Sequence, residues 1–217
     1  MVKFINTSEL IERYQRGERN FQSTLIEAKN LDKINLTGAD LSRSKFYGCV
    51  IRQANLSGVN LTDAYIHRCK FNGTNLSGAN LSDTSLHKVN LSDTTCIGSI
   101  FKRSHLVDSN LQNANFTAAD FSDANFASLK LNGVNFTRCN LSIVYVINTE
   151  LNEAILTDAI VCIRKGYRNS YRVCVKCGGD AYHSGTTFTS GAFGSGNTEA
   201  DVYFSCYDCG HHWCEYK

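Results

Sequence analysis

Four cysteines near the C-terminus carry the most specific chemistry in this chain of 217 residues. Cys174-Val-Lys-Cys177-Gly and Cys206-Tyr-Asp-Cys209-Gly are two Cys-x2-Cys pairs, each closed by a glycine. Two intervening residues let both thiolates of a pair turn toward one ion, and the glycine permits the tight turn that follows. Backbone N–H groups in such a knuckle can support the thiolates. Two pairs complete a tetrahedron with no open position, which suits a structural zinc and not a catalytic one. The expectation is therefore one structural Zn2+ per chain, held by Cys174, Cys177, Cys206 and Cys209. The segment around it is too short to order itself on a hydrophobic core, so its order should depend on the metal. Cys214, His183, His211 and His212 exceed the ligand count and read as packing or solvent residues, and Cys162 as a lone thiol near the junction.

Other chemistry is missing. No Gly-x-Ser-x-Gly, phosphate loop or His-Glu-x-x-His occurs, so the chain reads as no enzyme and has no small-molecule substrate. Twenty-two Lys+Arg against twenty Asp+Glu leave a formal charge of +2, arguing against both an acidic DNA mimic and a polybasic coat. Proline is absent, which points away from linker-rich or disordered architecture. Neither a secretory signal nor an apolar run of spanning length is visible, so the expected setting is cytoplasmic, with no membrane contact and with thiols kept reduced.

The elements that must carry these features follow from a period of five. Every fifth residue from Phe21 to Val161 is apolar, 29 positions in one unbroken register, with Cys96 the only small one. A helix would rotate such positions away from one another, and a straight strand would send alternate ones to opposite faces. A chain that turns a corner every five residues points them all at one axis. Two residues before each centre, from Ala39 to Ala159, 24 of 25 positions are Ala, Ser, Thr, Cys or Val, with Leu129 the exception. These small residues share the narrow interior with the large ones. The residue between them faces outward and is Asn or Asp in 15 of 29 units, and turn-forming residues crowd the two positions after each centre.

Units such as Ala39-Asp40-Leu41-Ser42-Arg43 and Ala79-Asn80-Leu81-Ser82-Asp83 resemble the pentapeptide-repeat family. The resemblance implies an all-β fold: a right-handed quadrilateral β-helix with four units per coil, about seven coils here, each roughly 4.8 Å deep. Cys49, Cys69 and Cys139 at inward small positions and Cys96 at a centre then read as buried structural thiols. Solenoid ends need covers. At the N-terminus Asn6 and Glu9 read as a reciprocal cap, Ile5 and Leu10 as a hydrophobic staple, and Leu10, Ile11 and Tyr14 as one helix face ending at Gly17. The implied organisation is a cap at 1–18, the β-helix at 19–163, a basic junction at 164–172 and a zinc ribbon at 173–217.

The tail, through Val202-Tyr-Phe-Ser-Cys206-Tyr-Asp-Cys209-Gly-His-His-Trp213, resembles the zinc ribbons of transcript-cleavage elongation factors and small RNA-polymerase subunits. That likeness is specific for fold, not function. The cleavage factors carry an adjacent Asp-Glu pair in the hairpin between their knuckles. Here Glu199 and Asp201 are split by an alanine, and cleavage activity does not transfer.

A working surface is sought among the outward residues. One side of the assumed 20-residue coil is uniform: Asn35, Thr37, Asn55, Ser57, Asn75 and Ser77 recur as filler. Another side presents Lys45, Tyr47, Tyr65, His67, Arg68, His87, Lys88 and His105, residue types that anchor protein interfaces or hold phosphates and bases. Near the last coils Ile143, Tyr145, Ile147, Ile155 and Ile160 face outward by register and should be covered, with the ribbon as the nearest cover. Arg164, Lys165, Arg168 and Arg172 with Tyr167 and Tyr171 form the basic junction. The leading reading is a non-enzymatic protein-binding scaffold. A transcription-associated or nucleic-acid-binding ribbon factor, with RNA polymerase or nucleic acid as partner, is the first alternative. A DNA-mimicking topoisomerase (gyrase) regulator is the second, disfavoured by fourteen Lys+Arg against twelve Asp+Glu in residues 21–165.

Overall fold

The computed structural model describes residues 3–26, 30–165, 181–189, 199–206 and 212–216. Its elements are β1 (Lys3–Ile5), α1 (Thr7–Gln15), β2 (Thr24–Ile26), β3 (Lys45–Tyr47), β4 (Tyr65–His67), β5 (Ser85–His87), β6 (His105–Val107), β7 (Asn125–Ala127), β8 (Asn140–Ile147) and β9 (Ile160–Lys165). The tail adds β10 (Ala181–Thr189), β11 (Glu199–Cys206) and β12 (His212–Tyr216). Strands β1 to β9 stack in parallel and in chain order, making an all-β solenoid of about eight turns with one short helix.

The coil is twenty residues long and four-sided. Strands pair at that offset along one side, as in Phe46↔Ile66↔Leu86↔Leu106. Isolated bridges mark the other three sides, as in Asn55↔Asn75, Asn60↔Asn80 and Lys70↔Asn90. Each corner is a tight turn. Ala39 N–H, for example, donates to Leu36 C=O at 3.0 Å, and Gly38 between them has a φ of +65°, as a type II turn requires. Among the described residues, nineteen other than glycine also sit at positive φ, nearly all of them at equivalent corners.

The five-residue pattern lands where expected. Centres and small positions are buried along the rod, and Phe101, Phe116, Phe121 and Phe136 form an aromatic column inside it. Phe101 stacks on Phe121 at 4.7 Å and Phe116 on Phe136 at 5.6 Å, each pair one coil apart. Small polar residues inside are paid for by backbone carbonyls: Thr84 Oγ1 donates to Leu61 C=O at 2.8 Å and Ser104 Oγ to Phe101 C=O at 2.7 Å. Cys49, Cys69, Cys96 and Cys139 are all buried. Burial pushes the Cys96 and Cys139 thiols up to about 12, and the hydrogen bond with Cys49, followed by burial, raises that of Cys69. Such thiols are inert at neutral pH.

The outward Asn and Asp residues prove structural. Their side-chain oxygens accept from the N–H two residues on, at 3.1 Å for Asn35–Thr37, 3.0 Å for Asn75–Ser77 and 3.0 Å for Asn115–Thr117. Each therefore ties down a corner. What reads as filler in the sequence is the fastening of the turns.

The ends depart from the reading in two ways. At the N-terminus the Asn6 Oδ1 cap accepts from Glu9 N–H at 2.9 Å, with Ile5 and Leu10 fully buried. The carboxylate of Glu9 pairs with Arg13 at 3.1 Å. Ahead of the helix lies β1, paired in parallel with β2, which adds a turn that the five-residue pattern does not contain. This is why the count is about eight turns and not seven. At the other end the register slips between Leu141 and Val144, so that Val144 faces Ile163 at an offset of nineteen. Ile143 occupies this bulge with a φ of +60°, an uncommon state for a β-branched residue. Beyond the bulge β9 runs straight, with Val161 and Ile163 both buried at period two. The edge of β9 then takes β12 in parallel, Cys162 opposite Cys214, and β12, β11 and β10 follow as an antiparallel meander.

Ala79→Phe should overpack the interior and cost about 1–3 kcal/mol. Asn75→Lys, which loses the bond to Ser77 N–H, should cost about 0.5–1.5 kcal/mol. Thermal unfolding checks both, and an Ala79→Phe variant that unfolds like the unsubstituted chain would contradict the inward placement of Ala79.

Candidate functional site

The outward residues of β3 to β6 stand in register. Tyr47, His67 and His87 form one column, ending at Val107, and Lys45, Tyr65, Ser85 and His105 a second. The positive-φ corner after each strand makes a third, with Arg68 at φ +53° and Lys88 at +56°. The inward residue of each strand is buried, so packing fixes the backbone from which these side chains project.

Four rings make contact. Tyr47 and Tyr65 lie 5.6 Å apart, Tyr65 stacks on His67 at 6.0 Å with 14° between planes, and His67 and His87 lie 5.0 Å apart. The imidazoles touch through Nδ1 and Nδ1 at 3.2 Å. The Nε2 of His87 lies 3.2 Å from Asp108 Oδ2. Asp108 is the functional candidate that sequence reasoning missed. Its signal was its place one coil beyond Lys88 at the same corner. A shallow groove of about 220 Å³ runs beside Lys88, Asp108 and Lys130. His105 belongs to the column of Tyr65 and Ser85, away from the His67–His87 contact, and Lys45 is exposed at the near end.

Charge at the site is mixed. Burial holds the His67 imidazole below its usual range, with His87, Arg68 and Lys88 adding repulsion to its protonated form. Stacked like charges along the rod thus oppose protonation, as the columns imply.

The apolar cluster near the last turns is exposed among the described residues: Ile155 is 49% and Ile160 63% exposed, and Tyr145 and Ile147 are exposed beside them. Ile143 is half-buried at the bulge. Most of the ribbon segment expected to cover them lies outside the described residues, and the described part of the tail meets the rod where β12 pairs with the edge of β9. Cys174, Cys177 and Cys209 lie outside the described residues, as do Tyr167, Arg168, Tyr171 and Arg172, and Cys206 is described in its backbone alone, at the end of β11. Among the described residues no three His, Cys, Asp or Glu side chains gather as a metal site. None of the described helices is long and apolar enough to cross a membrane.

A family model described as a pentapeptide repeat region matches residues 79–156, and a second, of eight pentapeptide repeats, matches 29–63 and 60–95. No curated protein matches the chain. Among solved structures, the pentapeptide repeat protein Rfr23 from the cyanobacterium Cyanothece 51142 is 22% identical, covering 57% of this chain and 90% of its own, with a TM-score of 0.39. QnrB1, a plasmid-mediated fluoroquinolone resistance protein, is 17% identical over 77% of this chain and 84% of its own, with a TM-score of 0.40. HetL, involved in heterocyst differentiation regulation in the cyanobacterium Nostoc sp. strain PCC 7120, is 23% identical over 72% and 92%, with a TM-score of 0.23. At these scores the likenesses carry no functional information.

The stability contributed by neutral His67 is present above about 6.5 and is lost as pH falls through its lowered folded value. Exposure to solvent keeps the effect small. Side-chain NMR should give His67 a midpoint below that of the unfolded chain, and His87→Gln should move it part of the way back. An unshifted midpoint would contradict the burial and the repulsion together.

Proposed function

Because this chain belongs to the pentapeptide-repeat family, we propose that it is a non-enzymatic binding scaffold that presents the Tyr–His–Arg side of its rod to a protein partner. Proteins of this family are generally structural or binding modules. The observation that carries the reading is the alignment of Lys45, Tyr47, Tyr65, His67, Arg68, His87 and Lys88 on three consecutive turns of one side. Tyrosine and arginine are frequent interface anchors, and a rigid stacked core spares the partner most of the cost of ordering them. The opposite side carries Asn, Ser and Thr bonded into their own corners. His105 extends the surface by one further turn. The cations beside the rings suit an anionic partner surface, and His67, which resists protonation, adds its charge to that surface only below the ordinary histidine range. The working compartment is the cytoplasm.

The tail completes this reading as a zinc ribbon, with one structural Zn2+ on Cys174, Cys177, Cys206 and Cys209. Support comes from the spacing of the two pairs and from the three-stranded meander β10–β11–β12, whose central strand ends at Cys206. Its role is to cap the open edge of β9. A net charge of +2 weighs against duplex-DNA mimicry.

Two experiments test the proposal. Changing Tyr65, His67 and Arg68 to Ser, Ser and Asp should abolish partner recovery on co-purification from the native host. A triple change at Ser57, Ser77 and Thr117 on the opposite side should leave recovery intact, and equal recovery from both would overturn the surface. Elemental analysis of protein purified without chelator should give one zinc per chain. Chelation should then release the metal and disturb the tail while leaving the solenoid's circular dichroism intact, and absence of stoichiometric zinc would remove the ribbon.

A further inference from the structure

We propose that His67 and His87 form a two-imidazole chelate for a divalent transition-metal ion, with Asp108 orienting the second imidazole. The inference is independent of the partner reading and begins with the Nδ1···Nδ1 separation of 3.2 Å. Metal–nitrogen bonds of about 2.0–2.1 Å, meeting at angles between square and tetrahedral, put two ligand nitrogens roughly 2.9–3.4 Å apart. The observed distance falls inside that range. Parallel pairing at an offset of twenty creates it, since His67 and His87 occupy the same place on adjacent strands.

The proton inventory supports the same site. With the Nε2–H of His87 donating to Asp108 Oδ2 at 3.2 Å, its Nδ1 is left with a lone pair directed at His67. In the metal-free state the Nδ1–H of His67 fills that gap as donor. Metal binding replaces this shared proton. The proton leaves Nδ1 of His67 while its Nε2 takes one up, both Nδ1 lone pairs form coordinate bonds, and nothing is oxidised or reduced. Asp108, His87 and the ion then make the carboxylate–imidazole–metal arrangement that fixes ring orientation and raises ligand basicity. Tyr65, nearly parallel to His67, steadies the other ring.

Two neutral nitrogens select Zn2+, Ni2+ or Cu2+ over Mg2+ or Ca2+, which take oxygen ligands. Arg68 and Lys88 oppose a dication through space, and water fills the remaining coordination positions. The affinity expected is therefore micromolar and the ion exchangeable, unlike a closed four-thiolate site.

The test uses the full chain, 15N-labelled and given its first equivalent of Zn2+, then titrated with further Zn2+ slightly above neutral pH. Long-range 1H–15N spectra should show the Nδ1 resonances of His67 and His87 moving together with a micromolar midpoint, and His105 unmoved. His67→Gln should weaken the response at His87 at least tenfold, and Asp108→Asn should weaken the pair by about tenfold. The proposal is overturned if both resonances stay still up to millimolar Zn2+, if His105 responds equally, or if His67→Gln leaves the midpoint at His87 unchanged.

Discussion

Parallel pairing of each residue with the one twenty places on is the constraint from which the rest of this molecule follows. It closes the backbone ladder of every turn, and it also forces every side chain to lie directly above its counterpart. Inside the rod the result is a stack of like on like, leucine over leucine and phenylalanine over phenylalanine, which close packing rewards. Outside, the same stacking holds for whatever the chain puts there. Asparagines over asparagines fasten corners, whereas imidazole over imidazole under Arg68 and Lys88 makes protonation costly. One geometric rule thus yields a stable core and a surface where burial of His67, with the charges stacked beside it, holds its ionisation down.

Most of the rod was legible because its determinants are local and repeat. The centres, the small inward residues and the columns Tyr47–His67–His87 and Arg68–Lys88 all follow from counting in fives and twenties, and the cap at Asn6 from local helix chemistry. The features that escaped depend on departures from the count. β1 contributes a turn through backbone pairing with β2, and no five-residue signal precedes Phe21. The register shortens by one between β8 and β9, because Ile143 still makes the positive-φ corner of earlier turns while β9 runs through Cys162 and Ile163 without one, and the five-residue pattern does not announce that change. Asp108 was missed for a different reason. Its place in the corner column beyond Arg68 and Lys88 sets it within reach of the ring one turn below, which only the side-chain geometry shows.

The two ends of the rod solve the exposure of a solenoid core differently. At the start a short amphipathic helix lays Leu10 over the first turn, with Tyr14 Oη donating to Thr37 C=O at 3.0 Å. At the finish the chain abandons its corners. A straight β9 converts the last turn into an ordinary sheet edge, and the meander of the tail continues that edge. Since an unpaired edge invites association with other chains, the loss of the corner in β9 serves as an adaptor between two kinds of β architecture.

Four sides per turn also give each residue an angular address. Inserting or deleting one five-residue unit anywhere in the rod would swing everything beyond it by a quarter of a revolution about the long axis. A change of twenty would slide it along the axis and keep its bearing. His67 and His87 face each other only because the intervening chain is a whole number of revolutions. The rod can therefore lengthen in complete turns beyond either end of the histidine pair without disturbing it, while a single added unit between them would leave the two rings on adjacent walls.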